Sequence, residues 1–263
     1  MFSGFLLNTW VVASIVAAAA GFVGFFVVIR GASFAAHALP LGAFPGAAAA
    51  RLFGFNELLG LIAFSGLGVI GISGLGRRGR HEVATALSLV ALLGLGALFL
   101  SMSREYSQEV YSLLFGQVLG ISASEVAPIA AISAVAIALT AALFRPLLLN
   151  ATSPELGEAM GVTRNGAELF FLIIVALASA MAVTVVGTLL VFSLMVGPAA
   201  AARSLTNRPL LASLLSVIIS LVTVWAAIAL SYWTDWPIGF FVGSIAALCY
   251  GMGRALTRAS PAL

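Results

Sequence analysis

Lysine is missing from this 263-residue chain, and all twelve of its basic residues are arginine. A G-x-x-x-x-G-K-[ST] phosphate loop depends on its lysine, so the chain does not bind ATP by that route. Charge of either sign is scarce: 8% of residues are charged and 62% are hydrophobic, with a mean hydropathy of +1.17. Soluble domains carry about a quarter charged residues, so a soluble globular chain is excluded. The single cysteine, Cys249, cannot form an internal disulfide. The isoelectric point of 9.6 does not indicate nucleic acid, because the arginines are spread over short loops and make no continuous basic face.

What the chain does contain is a series of long apolar runs punctuated by arginine. A helix needs about 20 apolar residues to cross the hydrocarbon core. Leu6–Ile29, Leu58–Leu75, Val83–Leu100, Val126–Phe144, Leu210–Tyr232 and Ile238–Gly253 meet or approach that length. The first of these lacks a basic flank before it and reads as a span, not a cleavable signal. Arg30, Arg77, Arg78, Arg80, Arg145, Arg164, Arg203, Arg208, Arg254 and Arg258 fall at alternate ends of these runs, and only Arg51 and Arg104 do not. By the positive-inside rule, the ends carrying the ten are cytoplasmic. The Met102–Ser112 loop, with Glu105 and Glu109 against one arginine, suits the outside.

Leu169–Ala202 decides the topology. Its 34 uncharged residues would make a helix about 51 Å long, well beyond the bilayer. A hairpin turning near Thr184–Thr188 fits both the length and the arginines that follow. Gly31–Phe55 must also cross, yet it holds Pro40, Gly42, Pro45 and Gly46, which predicts a kinked or broken helix buried in protein or lining a cavity. Leu113–Ser122 is too short to span and reads as an interfacial or re-entrant helix. The expectation is one all-α, polytopic membrane domain over residues 1–263, with about nine transmembrane helices, the N-terminus outside and the C-terminus inside.

No carboxylate lies at mid-span: Glu57, Glu82, Glu125 and Glu168 stand at span ends, and Asp235 in a short loop beside Trp233 and Trp236. Proton- and sodium-coupled carriers place such a group within a span, so a stand-alone secondary carrier or channel is the weaker alternative. The spans are rich in glycine, alanine and serine, which let helices approach closely. His81, beside Arg80 and Glu82, reads as a solvated loop residue.

The largest cytoplasmic segment, about 145–168, carries a short helix of its own. Ser153 suits its cap, Pro154 its first position, Glu155 its dipole and Gly161 its end. Such a helix is either a surface turn or a docking element for a cytoplasmic partner.

Three segments together resemble the membrane permeases of zinc and manganese ABC importers. Val186-Gly187-Thr188-Leu189-Leu190-Val191 with Gly197-Pro198-Ala199-Ala200-Ala201-Ala202-Arg203 is similar to the family's V-G-x-L-L-V…P-A-A-x-A-R signature. Phe144-Arg145-Pro146 through Pro154-Glu155-Leu156-Gly157-Glu158-Ala159-Met160-Gly161 resembles the loop by which these permeases contact their ATPase. Val27-Val28-Ile29-Arg30 with Ser33-Phe34 resembles the end of their first helix. Vitamin B12 and siderophore permeases share a related design but are typically longer, so a permease of that type is the second choice.

The resemblance implies a non-enzymatic transport subunit in the cell membrane that dimerises. It implies a separate cytoplasmic ATP-binding subunit docked on a coupling helix comprising Ser153, Pro154, Glu155, Leu156, Glu158, Ala159 and Gly161. It also implies an extracytoplasmic solute-binding protein, and a divalent zinc or manganese ion as cargo in place of any tightly bound cofactor. The family's D-A-x-S-H-A-x-L-P-G stretch is altered here: aligned on Pro45-Gly46, His37 stands at the aspartate position, Leu41 at the histidine position and Pro40 at the serine. His37 is therefore the one candidate metal ligand of the path; neutral imidazole suits late first-row ions, and a two-fold axis would supply a second.

Overall fold

A computed structural model of the chain describes residues 4–76, 81–102 and 121–259. Arg77, Arg78, Arg80, Arg104, Glu105, Glu109 and residues 113–120 of the expected interfacial segment lie outside the described residues. Among the described residues, every regular element is an α-helix: α1 (Gly4–Ile29), α2 (Ser33–Phe53), α3 (Glu57–Leu75), α4 (His81–Ser101), α5 (Ala123–Ala142), α6 (Phe144–Thr152), α7 (Pro154–Ala159), α8 (Arg164–Val186), α9 (Thr188–Leu205), α10 (Pro209–Thr234) and α11 (Ile238–Ala259). Seven of them (α1, α3, α4, α5, α8, α10 and α11) are long and apolar enough to cross a membrane. The chain is a multi-pass, all-helical membrane protein.

Contacts between distant residues fix which helix ends lie together. Arg30, His81 and Glu168 meet at one end of the bundle. At the other, Arg51, Glu57, Glu125 and Thr184 line a single small cavity of about 90 Å³. The chain therefore alternates between the two ends through α2, α3, α4, α5 and α8. At α9 it doubles back: the Ser179 hydroxyl stands 4.0 Å from the Met195 sulfur, a separation impossible along one straight helix. The turn is Gly187, whose φ of 83° and ψ of 156° belong to a region open essentially to glycine alone. The hairpin read from the length of the apolar run is present.

One expectation is corrected. α2 is not broken but one continuous helix over Ser33–Phe53, with Pro40 and Pro45 buried inside it. Each proline deprives α2 of one backbone hydrogen bond. Tight packing on neighbours opposes that loss: a Cβ on Gly96 of α4 would come within 3.1 Å of the Pro45 ring. One residue on, Gly46 crosses Gly60 of α3 so closely that a Cβ on either would overlap the other's carbonyl. Without a hydrophobic drive between helices in lipid, such backbone approach is what holds the bundle together.

α9 is enclosed by the rest of the bundle. It packs against α1, α2, α8, α10 and α11, with Val191, Leu194, Met195 and Ala199 fully buried. Gly24 of α1 leaves room for the Met195 carbonyl, and the Ser216 hydroxyl of α10 donates to the Gly21 carbonyl at 2.6 Å. At the end of the bundle opposite Arg30, Tyr232, Trp233, Trp236 and Phe240 are exposed, the girdle expected where lipid meets water.

Candidate path residue and coupling segment

His37 sits one helical turn into α2, half-buried. Its ring stands edge-on to Phe192 of α9, with centroids 5.2 Å apart and planes at 77°. Its Nδ1 is buried and has no hydrogen-bond partner. Leu41 follows one turn later on the same face, also half-buried. Among the described residues no three of His, Cys, Asp and Glu come together in a group that could hold a metal ion. One chain thus presents a single imidazole between α2 and α9. A structural metal site needs about four ligands.

The segment between α5 and α8 folds as two short helices. Leu143 ends α5 and starts α6, and Ser153 separates α6 from α7. Ser153 makes no side-chain capping bond, contrary to the expectation; only its carbonyl takes part, accepting from Gly157 N–H at 3.0 Å. Its φ of −149° and ψ of 78° place the backbone outside the geometry in which a serine hydroxyl reaches the first helical amides. Pro154 is at the first helical position and Glu155 in the first turn, as expected. Gly161 ends the helix through φ +84°: its N–H donates to Glu158 O at 3.0 Å and Val162 N–H to Gly157 O at 2.9 Å, the paired bonds of a Schellman turn.

Ser153, Pro154, Glu155, Leu156, Glu158, Ala159 and Gly161 are all exposed, with Leu156 and Met160 presenting 53% and 65% of their surface. Exposed apolar side chains flanked by carboxylates on a protruding turn suit a protein contact. Behind the turn, Leu143, Pro146, Val162, Ala167 and Phe170 help to line an apolar cavity of about 210 Å³.

Sequence reasoning missed one cluster at this end. The Arg30 guanidinium, 7% exposed, reaches Glu168 of α8 at 3.4 Å and lies 4.7 Å over the Phe171 ring. His81 Nδ1 is 3.7 Å from the other Glu168 oxygen. His81 is therefore part of a charged cluster and not a solvated loop residue, although 37% of its side chain remains exposed. Burial pushes the Arg30 guanidinium down from its usual value, the Glu168 carboxylate pushes it up, and Arg164 adds a small opposing repulsion. An arginine stays charged through such shifts. The sequence carries a signal for it: the arginine pattern puts Arg30, His81 and Glu168 at the same, cytoplasmic side.

Comparison with known proteins gives a consistent picture. The profile of the ABC 3 transport family matches residues 3–255. The manganese transport system membrane protein MntC of Listeria innocua is 28% identical over 228 residues, covering 86% of this chain and 79% of that protein. The manganese import system permease protein ScaB of Streptococcus parasanguinis is 28% identical over 233 residues, covering 86% and 83%. Among solved structures, PsaBC from Streptococcus pneumoniae in complex with Fab superimposes with a TM-score of 0.86 at 24% identity, over 96% of this chain and 91% of that one. The last of these bears on the fold.

Proposed function

The chain belongs to the ABC 3 transport family, and on that premise we propose that it is the membrane-spanning subunit of an ATP-driven importer of divalent transition metal ions, manganese first and zinc second. The observation that carries the reading is the family match over residues 3–255, joined to relatives named as manganese permeases. The chain has no phosphate loop of its own, so hydrolysis falls to a separate cytoplasmic ATPase. The exposed turn from Ser153 to Gly161 is where that subunit docks: Leu156 and Met160 enter its surface, and Glu155 and Glu158 face basic groups on it.

α2 and α9 complete nine crossings with the seven helices named above as long and apolar enough. The arginine-rich end faces the cytoplasm and the N-terminus lies outside. A symmetric pair of chains brings two copies of His37 to one path, where imidazole replaces part of the ion's water shell without holding it. An extracytoplasmic binding protein delivers the ion at the aromatic end. Deleting the chain from its host tests the reading: cell-associated manganese is expected to fall under manganese limitation and to recover on re-expression, and unchanged manganese would refute it.

A further inference from the structure

We infer that the part-buried Arg30–Glu168 pair is the joint through which movement of the ATPase-docking turn reaches the helix carrying His37. The inference rests on the proposed ATPase docking and adds to it two positioning residues. Four residues, Met160–Thr163, connect α7 to α8. They are tied by the Gly161 and Val162 bonds to α7 and by Ala167 N–H donating to Thr163 O at 3.0 Å. A displacement of α7 is therefore delivered to the first turns of α8, and Glu168 is one turn in. Its partner, Arg30, lies three residues before the start of α2, and His37 is one turn into that helix.

The pair is also incompletely made. A charge-assisted contact between guanidinium and carboxylate closes at about 2.7–2.9 Å and is often bidentate. Here one nitrogen, Nη2, approaches one oxygen at 3.4 Å, and the buried Nη1 has no hydrogen-bond partner among the described residues. A donor left without a hydrogen bond on a 7%-exposed arginine is unfavourable. A small shift of α8 toward α1 lets the fork close on both Glu168 oxygens, displacing His81 from the one it now faces. The loose arrangement is the one observed, and this shift of α8 would produce the forked one. Two arrangements of one contact, biased from one side and read on the other, are the physical requirement for coupling between distant sites.

Arg30→Lys keeps the charge but cannot form the fork. The test uses the full permease with its cognate ATPase in proteoliposomes, in a Cys249→Ser background with Leu41→Cys on α2 as a reporter of thiol labelling. With Arg30 intact, labelling at position 41 changes between nucleotide-free and ATP-bound states. In Arg30→Lys that change is lost, and manganese uptake per ATP hydrolysed falls by about ten-fold or more, while hydrolysis itself persists. Glu168→Gln, which also forbids the closed ion pair, gives the same two results and carries the test if the lysine variant fails to accumulate. ATP-dependent labelling that survives both substitutions overturns the inference. So does a parallel loss of hydrolysis and ATPase association, which would make the pair part of the docking surface. Labelling that responds to ATP through Arg30 in a complex that moves no manganese would leave the joint standing and remove the metal assignment.

Discussion

Ser179 and Met195, sixteen positions apart, stand 4.0 Å apart from hydroxyl oxygen to sulfur. They lie eight residues either side of Gly187, and their meeting shows that the chain reverses there. The topology of everything after Leu169 follows from that reversal. In a Cys249→Ser background, Thr184→Cys is expected to react with impermeant thiol reagents from outside only and Asn207→Cys from inside only. Labelling of position 207 from the outer face would contradict the orientation. Gly187→Ala forces a side chain into a backbone region reserved for glycine and should destabilise the fold by about 1–3 kcal/mol, read as a lower melting temperature in detergent.

The crossing of Gly46 and Gly60 gives a second prediction. A methyl group at either position meets backbone and not a flexible side chain, so α2 and α3 must separate. Gly46→Ala and Gly60→Ala should each lower stability by about 1–3 kcal/mol, whereas Gly66→Ala, where an added Cβ meets nothing within 4 Å, should be neutral or slightly stabilising. Thermal denaturation of the three variants separates these outcomes.

Much of this architecture is legible in the sequence, for identifiable reasons. The hairpin follows from a run too long for one crossing and from Arg203 and Arg208 beyond it. The end of α7 follows from Gly161, because the left-handed residue of a Schellman turn is so commonly glycine. The continuity of α2 was not legible: Pro40 and Pro45 argue locally for a break, and what opposes it is packing against α3 and α4, far away in sequence. The Arg30–Glu168 contact spans 138 positions and is set by how α1, α4 and α8 converge, which no local pattern encodes. His37 falls half-buried on the continuous α2 and not on a broken helix. Its neighbour Phe192 became visible only once α9 had been folded back.

The docking turn carries a third prediction. Glu158→Arg reverses charge on an exposed turn and should reduce co-purification of the ATPase while leaving the melting temperature of the permease unchanged. Leu156→Ala removes an exposed apolar anchor and should weaken the same association by about 1–3 kcal/mol. Wild-type co-purification with both substitutions combined would place the docking surface elsewhere.

For the path, His37→Ala should lower manganese uptake without lowering the amount of permease in the membrane, since alanine leaves the ion's lost hydration uncompensated. Leu41→His adds an imidazole one turn away on the same face and should slow release or shift the preference toward zinc. Uptake unchanged by either substitution would remove His37 from the path.

The most direct measurement of the central claim is manganese entry into proteoliposomes containing this chain, its cognate ATPase and the extracytoplasmic binding protein. Accumulation should require ATP on the ATPase side, be abolished when the ATPase is catalytically inactive, and be unaffected by collapsing proton and sodium gradients. Accumulation driven by such a gradient in the absence of ATP, or no manganese entry from a complex that hydrolyses ATP normally, would contradict it.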